Sequence, residues 1–596
     1  MGNKKLLMGN EAIGFAALNA GVNFVSGYPG TPSSEILETV AMQNTNKNVH
    51  VEWSVNEKVA LEAGAGAAYT GARVMVTMKQ VGLNVAADPL MCLAYIGVKG
   101  GIIVVATDDP GPISSQTEQD TRRFAQFAKL PVFDPTTPEE AYDMIADAFK
   151  LSEELQIPVI FRPTTRICHA CVSLDAEITA APKQFEGFVK DPKWAIFPSL
   201  SYRNHIKLET ISENLSNNTA LPYNKVVKNS DSDTALIAGG VAYSYALEAL
   251  TQLNLTDKVK LIKLGQPVPS PDKFLLESLN DVKTIIVAEE LDPVIEDSVY
   301  KLRLSADIHG KRDHTFPYAG EYSVELLKDV LCKILNVVHE KINEPETIQL
   351  PVRPPVLCAG CPHRASFYAV KKAMKNKESV FSGDIGCYTL GNAKPLNMVD
   401  TCLCMGAGIT IAQGLQHLEP DVKHFAFIGD STFFHSGITG IVNAVYNKAN
   451  INIIILDNST TAMTGHQPHP GTGKTMMREV SEIIDIEGLV KACGVNHVVK
   501  ANPFDFDNAV SLIKEAADYD GVSVIIFKSP CINLVKKTKY CKINDKCVSC
   551  KRCINEIGCP SISVMDGKVI IDSATCYGCG LCKNICNLEA IEDENE

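Results

Sequence analysis

No run in these 596 residues approaches the roughly 18 consecutive apolar residues of a membrane-spanning helix, and the opening MGNKKLLMGN lacks the apolar core of a secretory signal. A basic excess is missing too. The formal net charge is -13 at pH 7, which argues against binding the phosphate backbone of nucleic acids, because that affinity is carried by clustered Lys and Arg. Short pairs such as Lys536-Lys537 read as solvated surface. The expectation is a cytoplasmic protein with neither a membrane nor a nucleic acid as partner. What is abundant is cysteine: 20 residues without a secretory signal point to metal or redox chemistry before disulfides. A 45% hydrophobic and 21% charged composition is that of an ordinary globular protein. The length exceeds a single core and predicts about three to five domains.

The chain is organised around residues 425–471, FAFIGDSTFFHSGITGIVNAVYNKANINIIILDNSTTAMTGHQPHPG. The pattern predicts a strand ending at Gly429-Asp430-Ser431, a helix near 436–447, and a second strand over 451–456 ending at Asp457-Asn458. In a parallel sheet such strand ends share one edge, where open α/β folds bind ligands. Asp430 offers a carboxylate and Asn458 an amide oxygen, hard ligands suited to magnesium, with phosphate oxygens completing the shell and a helix start beside them. The segment resembles the thiamine-diphosphate motif, GDG followed one βαβ unit later by Asn. The resemblance implies a third protein ligand, the backbone carbonyl of Thr460. Ser431 stands where the family usually has Gly.

Earlier in the chain, 22–28 reads as a strand, Pro29-Gly30-Thr31-Pro32 as a turn, and Ser33-Ser34-Glu35 as a capped helix start. The sequence YPGTPS resembles the YPxTPS motif of 2-oxoacid:ferredoxin oxidoreductases, which implies that Thr31 contacts the substrate carboxylate. Residues 57–69, rich in Ala and Gly, predict a helix packed closely against other backbone, followed by a strand over 73–78. Thiamine needs a carboxylic acid against N1′ of its aminopyrimidine. NEKVALEAGAGAAYTGAR resembles the pyrimidine-domain helix of thiamine enzymes, which makes Glu57 the candidate, with Glu62 as competitor. Residues 100–109 predict a buried strand, and Arg122 and Arg123 read as structural before anion-binding. Residues 191–232 lose periodicity and predict a linker. The α/β unit after it, with strands at 235–239, 258–264 and 284–289, carries no catalytic constellation, and Gly239-Gly240 reads as a turn.

Past the proline-rich 351–355 come Cys358-Ala359-Gly360-Cys361-Pro362-His363, then Gly383-Asp384-Ile385-Gly386-Cys387, and, after a predicted strand over 522–527, Ser529-Pro530-Cys531. His363 reads as a packing residue. In the last 60 residues Cys547, Cys550 and Cys553, then Cys559-Pro560, then Cys576, Cys579, Cys582 and Cys586 give the bacterial two-cluster ferredoxin arrangement, in which each run's fourth Cys serves the other cluster. One 4Fe-4S cluster takes Cys547, Cys550, Cys553 and Cys586; the other takes Cys576, Cys579, Cys582 and Cys559. The loop before Cys559 is longer than usual and Asn587 follows Cys586 in place of Pro. A zinc ribbon is the alternative, and Cys541 is left over.

In domain order the whole chain resembles the alpha subunit of indolepyruvate ferredoxin oxidoreductases. The fold class this implies is multidomain α/β. Doubly wound parallel-sheet domains bind thiamine diphosphate, and an α+β two-cluster ferredoxin domain closes the chain. The expected boundaries are 1–190 for a pyrimidine-binding domain, 191–232 for a linker, 233–345 for a transketolase C-terminal-like domain, 346–538 for a diphosphate-binding domain and 539–596 for the ferredoxin. The resemblance further implies thiamine diphosphate, Mg2+ and two 4Fe-4S clusters. It implies a separate beta subunit in a hetero-oligomer, and oxidative decarboxylation of aryl pyruvates with coenzyme A, electrons leaving to ferredoxin. A third cluster on Cys358, Cys361, Cys387 and Cys531 resembles the proximal cluster of some relatives. Four free buried thiols remain the alternative at this point. Pyruvate and branched-chain 2-oxo acids stay open as substrates. A non-oxidative thiamine decarboxylase or carboligase has no use for eight tandem cysteines, and a pure electron carrier leaves some 540 residues idle.

Overall fold

The computed structural model describes residues 4–228, 232–338, 350, 351 and 353–595. They fall into two compact units, Met1–Glu346 and Thr347–Glu596.

The first unit holds two sheets. One is six-stranded in the order His50–Trp53, Phe24–Gly27, Val74–Lys79, Ile102–Thr107, Val159–Phe161, Val132–Phe133, with every pairing parallel. Buried runs such as IIVVAT in Ile102–Thr107 are what a parallel sheet covered on both faces demands. The helix Glu57–Tyr69 begins at Asn56, whose side chain accepts from the Val59 amide. Its Gly64 lies so close to the sheet that a Cβ there would meet Val76 at 2.9 Å, which is why small residues fill this helix. The second sheet runs Asp307–His309, Thr284–Ala288, Thr234–Gly239, Lys260–Leu264, Asn224–Lys228, parallel except for the last, antiparallel edge. At Gly240 (φ 54°) a Cβ would come within 3.0 Å of the Asp134 carboxylate, so Gly239-Gly240 is a tight turn facing an anion, unsuited to phosphate.

Buried charge joins the two sheets. Arg122 donates to Asp120 at 2.7 Å and to Glu289 at 2.8 Å, while Arg162 donates to Asp108 at 2.6 Å and Asp134 at 3.2 Å. Arg123 pairs with Asp297 at 2.6 Å. Both Arg122 and Arg123 are therefore structural.

The expected linker is not one. Within 191–232 lie the helix Pro198–Ser216 and the edge strand Asn224–Lys228. Leu208, Ile211 and Leu215 of that helix are buried in the same apolar cluster as Leu90 and Leu93. The segment hides its helical period because most of the helix is solvated and polar, and only this one stripe is apolar.

The second unit is built on a five-stranded parallel sheet, Ser379–Ser382, Lys423–Gly429, Asn452–Asp457, Ser523–Lys528, His497–Ala501. The cysteine-rich tail adds two antiparallel hairpin-like pairs, Lys539–Ile543 with Ile591–Asn595 and Ile562–Met565 with Lys568–Ile571. It is not tethered loosely. Ile557, Ile562, Leu581 and Ile585 of the tail share one buried cluster with Phe367, Phe427 and Ile525 around the sheet.

If Pro198–Ser216 is core, Leu208→Ala should cost about 2–5 kcal/mol, because Leu208 is 1% exposed. Urea denaturation monitored by tryptophan fluorescence and circular dichroism would show it; a true linker would leave the midpoint unmoved.

Candidate active site

Asp430 follows the end of Lys423–Gly429, and Asn458 follows the end of Asn452–Asp457, the neighbouring parallel strand. Both are buried. The Asp430 carboxylate accepts from the Ser431 amide at 2.9 Å and from the Ser459 amide at 2.7 Å, so it ties the two strand ends together. Burial opposes its ionisation, but His469, whose Nε2 lies 3.1 Å away, and the amide donors hold the carboxyl below its ordinary range. Asn458 Oδ1 accepts from the Thr460 amide at 3.1 Å, and its Nδ2 donates to His363 Nε2 at 3.2 Å. Burial pushes His363 down to about 4, so a neutral ring fixes which way the Asn458 amide faces. Ser459 between them has φ 64°, an unusual conformation for a side-chain-bearing residue. A Cβ at Gly429 would meet the Tyr388 ring at 2.5 Å.

These residues fit magnesium diphosphate: one carboxylate, one amide oxygen and the buried Thr460 turn supply hard oxygens at a single edge. Among the described residues no group of three or more His, Cys, Asp or Glu side chains is placed so that it could hold a metal ion.

In the first unit Glu57 opens its helix and is buried, and Gly82 is pressed against it; a Cβ at Gly82 would lie 2.5 Å from Glu57 Oε1. Glu62 is exposed and pairs with Lys58. In the YPGTPS turn the Ser33 hydroxyl donates to the Gly30 carbonyl at 2.8 Å and Ser34 Oγ accepts from the Gly30 amide at 2.9 Å. The hydroxyls thus stitch the turn, and no side chain caps the helix that follows. Thr31 is half-buried, its carbonyl accepting from Ser114. Lys79 lies against Gly30, donating to the Ser114 carbonyl at 3.1 Å.

The cysteines assemble in three groups. Cys531 lies beside the metal loop, because its amide donates to the Asn458 carbonyl at 2.8 Å. Burial, then the nearby Cys531 and Cys358, push Cys387 up to about 11; burial pushes Cys361 up to about 12, with Cys358 beside it. Burial likewise raises Cys553, whose thiol neighbours are Cys547, Cys550 and Cys586. Cys559, Cys576, Cys579 and Cys582 line one cavity together with Cys361 and Cys541. Members of each predicted set of four thus lie near one another. Buried thiols of raised pKa stay protonated unless a metal takes the proton's place.

The family model for the thiamine-diphosphate-binding region of pyruvate flavodoxin/ferredoxin oxidoreductases matches residues 15–188, and that for the C-terminal thiamine-pyrophosphate-binding domain of thiamine pyrophosphate enzymes matches residues 384–527. Over 618 aligned residues the sequence is 40% identical to indolepyruvate oxidoreductase subunit IorA of Archaeoglobus fulgidus, covering 99% of this chain and 98% of that one. The chain belongs to the IorA family of indolepyruvate oxidoreductase subunits. The subunits of Thermococcus kodakarensis and Methanothermobacter marburgensis are each 39% identical, covering 100% of this chain and 98% of theirs.

This IorA-family chain is therefore an oxidoreductase subunit with thiamine-binding domains. No helix among the described residues is long and apolar enough to cross a membrane. Sequence reasoning missed His469 and Arg364, and it gave Asp384 no role. Burial pushes Asp384 up to about 7, although it accepts from the Ile385 and Gly406 amides. No spacing rule marks these residues. The one available signal was His469 within the loop after Asn458, a nitrogen base among oxygen ligands.

Asp430→Ala should abolish binding of thiamine diphosphate with magnesium in isothermal titration calorimetry, while the visible iron–sulfur absorption survives. Ordinary cofactor occupancy in that variant would remove Asp430 from the site.

Proposed function

We propose that this chain is the catalytic subunit of a 2-oxoacid:ferredoxin oxidoreductase that decarboxylates aryl pyruvates such as indolepyruvate. Coenzyme A takes the acyl group, and electrons leave through 4Fe-4S clusters to ferredoxin. A small beta subunit completes a hetero-oligomer working in the cytoplasm. The observation that supports this reading is the 2.8 Å hydrogen bond from the Cys531 amide to the Asn458 carbonyl, which brings a cysteine beside the candidate magnesium ligand. A non-oxidative decarboxylase would gain nothing from that juxtaposition.

Thiamine diphosphate would supply a nucleophilic carbon for the 2-oxo group and a sink for the electron pair left by departing CO2, and iron–sulfur clusters would supply one-electron acceptors. The chain's own residues do the rest. Asp430, Asn458 Oδ1 and the Thr460 carbonyl hold Mg2+, with Gly429 and Ser431 lining the diphosphate. His363 keeps the Asn458 amide oxygen free for the metal, because it takes up the amide nitrogen. Glu57 holds a proton against N1′ of the aminopyrimidine, and its burial keeps water from competing for that proton. Thr31 contacts the substrate carboxylate, with the Lys79 ammonium beside the same turn. Cys547, Cys550, Cys553 and Cys586 hold one cluster and Cys576, Cys579, Cys582 and Cys559 the second. Cys358, Cys361, Cys387 and Cys531 hold a third next to the thiamine loop.

Electron paramagnetic resonance of the anaerobic enzyme tests the whole reading: indolepyruvate with coenzyme A should produce reduced-cluster signals. Turnover of the 2-oxo acid without cluster reduction would leave a non-oxidative thiamine enzyme. Glu57→Gln should retain thiamine diphosphate yet lose roughly 10²- to 10⁴-fold in turnover; a near-wild-type rate would move the proton to another group. For the third cluster, iron analysis should fall from about twelve to about eight atoms per chain on Cys387→Ser with Cys531→Ser. An unchanged count near eight in both proteins would make the four thiols free.

A further inference from the structure

Arg364 sits on the helix Pro362–Ala373 just after the CxxC pair and is 4% exposed. Its guanidinium donates through Nη1 to the carbonyls of Ile557 and Gly558, the latter at 2.9 Å, and through Nη2 to the carbonyl of Leu357. Its Nε–H is buried and finds no partner among the described residues. Nor does any carboxylate among them pair with it. Burial lowers its pKa, and the ionisable groups that oppose this are the cysteines Cys559, Cys361, Cys579 and Cys358. It lines the cavity that Cys361 shares with Cys559, Cys576, Cys579 and Cys582.

An unpaired buried arginine costs several kcal/mol. The contrast with Arg122 and Arg162, each seated between carboxylates, shows how this chain ordinarily meets that cost. Arg364 has thiols where those have carboxylates, two from each of two cysteine groups, and an N–H aimed at no protein acceptor.

We infer that Arg364 is the shared counter-ion of two iron–sulfur sites, the Cys358/Cys361/Cys387/Cys531 site and the Cys559/Cys576/Cys579/Cys582 site, and that it sets the reduction potential of both. The inference rests on the cluster assignment made above. Reduction adds negative charge, so a fixed buried cation favours the reduced form, and a hydrogen bond to cluster sulfur acts in the same direction. The orphan Nε–H is the donor available for that bond. When one electron crosses from one site to the other, the charge summed over the pair is unchanged. A cation standing between them therefore favours reduction of the pair without holding the electron on one side. No bond forms or breaks, and no proton moves.

Redox titration followed by electron paramagnetic resonance on the full-length enzyme decides it. The site of Cys547, Cys550, Cys553 and Cys586 serves as internal control, because none of these four lines the cavity that Arg364 lines. Arg364→Gln should shift the one-electron equilibrium of two clusters at least tenfold toward the oxidised form, about 59 mV, and leave the control cluster where it was. Arg364→Lys, which keeps the charge, should recover most of that shift. Loaded clusters with unmoved potentials in Arg364→Gln would leave Arg364 a backbone anchor only, and so would a uniform shift of all three. Should Arg364→Gln not assemble its clusters, Arg364→Lys decides: potentials near wild type support the inference, and potentials displaced tenfold or more overturn it. A wild-type enzyme lacking either of the two clusters by iron count fails the cluster assignment, and the shared counter-ion falls with it. Three clusters with unmoved potentials sink the counter-ion alone.

Discussion

Parallel pairing governs the second unit. Because Ser379–Ser382, Lys423–Gly429, Asn452–Asp457 and Ser523–Lys528 lie side by side and run the same way, the residues that follow each strand emerge at one edge of the sheet. Cys387, Asp430, Asn458 and Cys531 are those residues or stand a few positions beyond them. No single contact holds Asp430, Asn458 and the two cysteines together; the sheet's register does. The local hydrogen bonds, Ser459 to Asp430 and Cys531 to Asn458, then fix the fine spacing. A chain whose strands alternated in direction would scatter these four side chains to opposite edges.

The first unit solves a different problem with charge. Its two sheets meet over Arg122, Arg162, Asp108, Asp120, Asp134 and Glu289, all with buried side chains. Burial pushes Asp108 up to about 6, even with Arg162 against it, so this network is held together by mutual satisfaction and not by solvent. Removing one member leaves the others charged in a medium that cannot solvate them. Such an interface specifies one mutual arrangement of the sheets, because a slipped one would strand several charges at once.

Much of this was legible in the sequence, for identifiable reasons. Strands buried on both faces are continuous apolar runs, so 425–429, 451–456 and 522–527 were found within a residue or two of Lys423–Gly429, Asn452–Asp457 and Ser523–Lys528. Cysteine spacing marked the tail in the same direct way, and there Cys559, Cys576, Cys579 and Cys582 line one cavity. The helix Pro198–Ser216 was lost because its buried stripe is three residues among nineteen. The docking of the tail on the sheet was lost because its apolar residues, Ile557, Ile562, Leu581 and Ile585, are scattered between cysteines and carry no period. Arg364 and His469 were missed because their significance lies in what surrounds them, and a lone cation or imidazole announces nothing.

The docked tail has a further consequence for how the chain is ordered as a conductor. Sequence order places the run from Cys547 before the run from Cys576, yet it is Cys559, Cys576, Cys579 and Cys582 that share a cavity with Cys361, while Cys550 of the other set is exposed to solvent. In the proposed assignment the electron's itinerary therefore runs against the grain of the polypeptide. It would leave the thiamine loop, enter the tail by way of Cys559, Cys576, Cys579 and Cys582, and exit by the set in which Cys550 is exposed.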